Sequence, residues 1–205
     1  MDFNKETWAF IGAATGIAIP LIFNTIKDVL FERNKRFTER RYIGVQLVFL
    51  LDKFTSHCAD VAWDDGFDEF GSQGEPRHDQ VSLPTFDLSS VKGEYKFLSA
   101  QFIYKLHLIN IKLIKIHGAL KEESLFYDDE LDGYYNLRRR LFVDLGFYAD
   151  NLNREICKVF NIKHESWDEG RSPRDYLEGS KMNLWKAKAR RELSKMERRS
   201  KRIMR

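Results

Sequence analysis

Cysteine is nearly missing from this chain: Cys58 and Cys157 are the only two in 205 residues. Neither sits in a CxxC pair or in a Cys/His spacing that would hold a metal. A disulfide framework and a zinc-knuckle fold are therefore excluded, and both thiols read as core residues that stay reduced. Proline is as sparse, with four, so long helices meet few breakers. Chemistry-bearing motifs are missing too. There is no P-loop, no Rossmann glycine pattern, no H-E-x-x-H and no G-x-S-x-G. The sequence reads as non-enzymatic, with no cofactor and no metal. It contains no internal repeat.

Charge is absent from one stretch. Residues 8–26 are 19 positions without a single charged side chain. As a helix they reach roughly 28 Å, against about 30 Å of bilayer hydrocarbon. Cleaved leaders carry basic residues in front, whereas Asp2, Lys5 and Glu6 precede this run. A buried core helix is the other alternative, since Asn24 and Thr25 shorten the strictly apolar part. The expectation is a transmembrane helix with Trp8 as interfacial anchor and the N-terminus (1–7) outside. Lys27, Arg33, Lys35, Arg36, Arg40 and Arg41 follow the run and place the remainder in the cytosol, in the manner of a bacterial inner-membrane protein. Within the run, Gly12 and Gly16 form a GxxxG pair, a pattern that lets two helix backbones approach closely. They are the candidate helix–helix association site and imply a homo-oligomer. Pro20, four positions after Gly16, predicts a kink.

The net charge of +3 conceals segregation. Residues 42–101 carry 4 basic and 10 acidic side chains, net −6. Residues 186–205 carry 10 basic and 2 acidic, net +8. An acidic middle between a basic juxtamembrane stretch and a basic tail suits a chain held against an anionic leaflet.

Apolar periodicity predicts helices and no sheet. Ile43, Leu47, Leu50, Phe54, Cys58 and Val61 step by 4, 3, 4, 4, 3, so residues 27–63 read as a juxtamembrane and first bundle helix, continuous with the span. Residues 64–90, with Gly66, Gly71, Gly74, Pro76 and Pro84, read as an acidic loop. Phe102, Leu106, Ile109, Leu113, Ile116 and Leu120 mark a second helix within 91–120, and Tyr134 to Val159 a third within 131–161. Within the helical region 91–180, Ser172-Pro173 opens a short turn that Gly179 stops. Residues 181–205 form the last helix. The expected fold is all-α: one N-terminal transmembrane helix continuing into a cytosolic bundle of three long helices plus a basic C-terminal helix. An up-down-up order makes helices one and three parallel, with Cys58 and Cys157 together at the membrane-distal end.

Three clusters raise the question of chemistry. Asp60, Asp64, Asp65, Asp68 and Glu69, near His57, offer oxygen ligands, but Gly66 interrupts the helix and no calcium-loop spacing is present. A solvated acidic loop is the expectation. His107 and His117 read as surface or interface residues and not as metal ligands, which would need further ligands nearby. His164, Glu165, Ser166 and Asp168 lack any nucleophile motif. The tail is the stronger signal. Met182, Trp185, Ala189, Leu193 and Met196 form an apolar stripe. Lys186, Lys188, Arg190, Arg191, Arg198, Arg199 and Arg202 surround it as a candidate surface for anionic lipid head groups, an acidic protein or, less favoured, nucleic acid. Packing of Trp185 on the bundle is the bland alternative. The function expected is a membrane-anchored interaction or signalling module with an unidentified protein partner. The alternatives are an oligomerising, membrane-perturbing toxin or defence effector, and a membrane-tethered hydrolase or nuclease.

Overall fold

The computed structural model describes residues 5–67, 78–126, 132–163 and 172–203, with side chains described within these except at 5–22, 126, 132, 197 and 199–203. The described residues form an all-α bundle of four helices: α1 (Lys5–Trp63), α2 (Ala100–Phe126), α3 (Asp132–Phe160) and α4 (Pro173–Ile203). An extended strap, residues 78–99, carries two 3-10 turns, Leu88–Ser90 and Tyr95–Phe97.

The membrane-spanning expectation is corrected. Among the described residues, no helix is long and apolar enough to cross a membrane. Residues 8–26 are not a separate span. They open α1, which continues through Pro20 and the charge-rich stretch 27–41 into the bundle. From Phe23, where side-chain description begins, Lys27, Asp28, Glu32 and Arg33 follow within three turns, a charge density incompatible with a hydrocarbon core. The side chains of residues 8–22 lie outside the described set. The outside–inside topology, the inner-membrane location and the bilayer as a partner rested on that span and fall with it, and the lipid head groups assigned to the basic tail lose the anchored setting that favoured them. So do the anchored module, the membrane-perturbing effector and the tethered hydrolase or nuclease.

The expected up-down-up order is also corrected, because the strap consumes one return journey. Arg138 of α3 donates to the Val81 carbonyl near the end of α1. Phe86 meets Phe54 edge-on at 5.2 Å. Gln46 and the Lys92 backbone exchange two hydrogen bonds of 2.8 and 2.9 Å. Strap numbers therefore rise as α1 numbers fall. Phe86, Val91 and Leu98 are buried beneath it, and burying that apolar surface is what holds a segment without helical hydrogen bonds in place. The chain starts α2 back at the lower end, so α1 and α2 run parallel.

Helix α3 lies antiparallel to both. Against α1, Gly44 faces the Phe160 ring, the Asn153 amide donates to Asp52 at 2.7 Å, and Arg139 donates to the Ala62 carbonyl at 2.9 Å. Against α2, Lys105 pairs with Glu155 at 2.7 Å and Phe102 meets Phe160. Cys58 sits beside Gly146, whereas Cys157 lies eleven residues further along α3, about 16 Å away along its axis. The thiols therefore lie toward opposite ends of the α1–α3 contact. Both are free and buried.

Local sequence explains the helix ends. Asp64 accepts from Gly66 N–H at 2.9 Å, and Gly66, at φ +80°, turns the chain beneath the Tyr135 ring. Helix α2 starts nine residues after the 91 bound of the expected segment, behind Ser99, whose hydroxyl accepts from Phe102 N–H. Asn161, at φ 50°, closes α3: Ile162 N–H reaches the Cys157 carbonyl and Asn161 N–H that of Lys158. Ser172 and Asp175 cap α4 reciprocally at 3.1 Å. Gly179 does not stop α4. It lies inside the helix, where a Cβ would stand 3.0 Å from the Trp63 ring.

Candidate interaction surfaces

Among the described residues of the 57–69 cluster, Asp64 is the acidic residue that the fold draws inside, whereas Asp60 and Asp65 are exposed. Asp64 is buried and pairs with the fully buried Arg138 at 2.6 Å. It also accepts from Gly66, Gln80 and Val81 N–H groups at 2.9 to 3.0 Å. Burial alone would raise the pKa of this carboxyl, but the Arg138 guanidinium and the backbone donors prevail and hold it below its usual value. The pair ties the upper end of α1 to α3 and to the start of the strap. Asp79 stands 3.9 Å from the Arg138 Nε and accepts from Tyr134. Its work is structural. Asp68 and Glu69 lie outside the described residues, as do His164, Glu165, Ser166 and Asp168. Among the described residues no group of three His, Cys, Asp or Glu is placed to hold a metal. His107 and His117 are exposed on α2, as read from the sequence.

Helix α4 is fixed to the bundle through its first turns, with Leu184 packed against the same Val143–Leu177 cluster. Leu177 is fully buried against Gly146, the Ser180 hydroxyl donates to the Ala62 carbonyl at 2.5 Å, and Trp63 Nε1 donates to the Tyr176 carbonyl at 2.8 Å. Further along, the apolar stripe emerges into solvent. Met182, Trp185, Leu193 and Met196 are all more than half exposed. The alternative in which Trp185 packs on the bundle is thereby set aside: its indole is 66 % exposed. Lys186, Lys188, Arg190, Arg191 and Arg198 are exposed around the same helix. The side chains of Arg199 and Arg202 lie outside the described set.

Between α3 and α4 runs a groove of about 680 Å³. Leu137, Val143 and Leu184 give it apolar lining, with Arg140, Lys188 and Arg191 among its charged members. Trp185 borders this groove and a second one between the same two helices, nearer the start of α4, where Arg174 and Lys181 flank the Phe147 ring at 5.5 and 5.3 Å. Sequence periodicity found the stripe and its basic surroundings. It missed the Trp63–Tyr176–Ser180 attachment and the groove, because both depend on how α4 lies across α3.

A second exposed surface lies on α1. Phe23, Ile26, Leu30 and Phe37 are 53 to 67 % exposed. Gly12 and Gly16, the candidate association residues, fall on helical backbone of the same element, outside the residues whose surroundings are described. No family model, no curated protein and no solved structure matches this chain.

Proposed function

We propose that the protein is a non-enzymatic binding module whose projecting helix α4 docks an acidic, amphipathic helix of a partner protein. The observation that carries this reading is the exposed stripe Met182, Trp185, Leu193 and Met196 set among exposed lysines and arginines. Apolar anchors at helical spacing recognise an apolar helix face, and a basic surround selects acidic flanks. The α3–α4 groove beside Trp185 gives such a helix an apolar floor. Nucleic acid fits less well. Phosphates would engage the cations and leave the Met, Trp and Leu side chains without a partner.

The test uses the full chain and a fluorescent, Glu-rich 21-residue peptide with leucine at its heptad a and d positions. Anisotropy should report saturable binding. Reversing charge at Lys188 and Arg190 together, and separately replacing Trp185 by Ala, should each weaken it at least tenfold, on the scale of about 1.4 kcal/mol or more for an interface anchor. Tighter binding to a 21-base-pair duplex that Trp185→Ala leaves unchanged would overturn the reading in favour of nucleic acid. Binding to neither probe would overturn it outright.

A further inference from the structure

Helix α1 carries one unbroken seam of alternating three- and four-residue steps, and only half of it is covered. In the bundle the seam runs Gly44, Leu47, Leu51, Phe54, Cys58, Val61, every one buried. Its cover is mainly α3, which ends at Phe160 against Gly44 and under the Arg40 guanidinium, 5.1 Å above the ring. Below that point the same alternation continues through Phe37, Arg33, Leu30, Ile26 and Phe23, and the four apolar members are exposed. It then passes to Ile19, Gly16 and Gly12 on continuous helical backbone. Residues 12–37 are nearly four heptads, or about 38 Å of helix. That is enough for a paired-helix seam, and a heptad alternation is the pattern of helices packing along their lengths. Among the described residues the end of the strap, at Gly93, Glu94, Lys96 and Phe97, comes beside Glu32, Lys35, Arg36 and Glu39 of α1, and it leaves Phe23, Ile26, Leu30 and Phe37 exposed.

We infer that this free half of the seam pairs with the same half of a second copy, antiparallel. The register follows from the sequence. With the two-fold axis passing between residues 24 and 25, Phe23 meets Ile26, Leu30 meets Ile19, Arg33 meets Gly16 and Phe37 meets Gly12, each pair occurring twice. The two largest side chains toward the bundle thus face the two glycines, where a partner backbone can approach. Charge selects the same orientation. A parallel pair would set Arg33 against Arg33 and lay two basic 33–41 runs side by side. The antiparallel pair lays each of these runs along the uncharged 8–16 run of its partner. It also places the two bundles at opposite ends, so that neither α3 obstructs the seam. This pairing is independent of the α4 reading.

Sedimentation equilibrium on the full chain at about 50 µM should give a dimer that Leu30→Glu converts to a monomer. Leu30 is exposed in the single chain, so circular dichroism of that variant should remain that of the folded bundle. Orientation is read by oxidation. The double variant Ile19→Cys, Leu30→Cys should form a covalent dimer. Leu30→Cys alone should not, because antiparallel copies hold those positions about 16 Å apart along the axis and a disulfide needs Cα atoms within roughly 7 Å. A monomeric wild-type chain, a larger or polydisperse assembly, a dimer indifferent to Leu30→Glu, or efficient bridging by Leu30→Cys alone would each overturn the proposal.

Discussion

The two halves of α1 share one helix and one apolar rhythm and meet opposite environments. Leu51 and Leu30 occupy equivalent seam positions three heptads apart. The first is fully buried beneath the bundle and the second is 58 % exposed. The difference lies in what the rest of the chain brings alongside. Upward from Ile43, α3 and the strap close over the seam, locked at the top by Asp64 and Arg138. Below Arg40, which sits over the Phe160 ring, the helix runs past the end of α3. An apolar stripe is therefore a statement about the helix alone; burial belongs to the helix and its neighbours together.

Breaking the lock should show the largest effect on the covered half. Arg138→Met leaves Asp64 as a buried, uncompensated charge, and should cost about 3–5 kcal/mol of unfolding free energy by urea titration. In Leu51→Ala the lost transfer energy and the cavity together should cost about 2–5 kcal/mol in the same assay. Acid should act through the lock as well. Because the folded-state pKa of Asp64 is depressed, its stabilising contribution is complete above the unfolded-state value, near 3.8. It is lost as pH falls through the lower folded value. Unfolding midpoints of the wild type should therefore drop steeply below about pH 4, and Asp64→Asn should flatten that drop. The smallest effect is expected at the equivalent uncovered site. Leu30→Ala, measured at a protein concentration low enough to keep the chain monomeric, should change stability by no more than about 0.5 kcal/mol.

The sequence made the helices legible because each apolar stripe is local. The continuity of α1 to Trp63 and the position of α3 followed from spacing; Ser172-Pro173 was readable as a cap, but α4 runs on from there through Gly179, where a short turn and a separate helix from 181 were expected. The topology did not follow. Residues 78–99 have neither helical nor alternating periodicity, so nothing local shows that Phe86, Val91 and Leu98 line α1 on a return path. Without that strap, parallel α1 and α3 was the simpler order. The uncharged run at 8–26 misled for a related reason. A span is judged on a window, whereas this run is one end of a 59-residue helix whose described portion turns charged within a few residues. At the candidate site, the α4 stripe and its cations were readable. The exposure of Trp185 was not, since it depends on Leu177 and Ser180 taking the contacts with the bundle. Arg138 gave no sign either. It stands in a run of three arginines, and only the fold distinguishes the buried one from its neighbours.

Hydrogen exchange along α1, compared between the wild type and Leu30→Glu at about 50 µM, tests most directly whether one seam has two different covers. Amides of residues 47–61 should exchange slowly, and equally, in both proteins, because α3 and the strap cover them within a single chain. Amides of residues 23–37 should be slow in the wild type and fast in the variant, because their cover is a second copy. Unchanged protection of residues 23–37 in Leu30→Glu, or loss of protection in 47–61 alongside it, would contradict the division of α1 into a self-covered half and a partner-covered half.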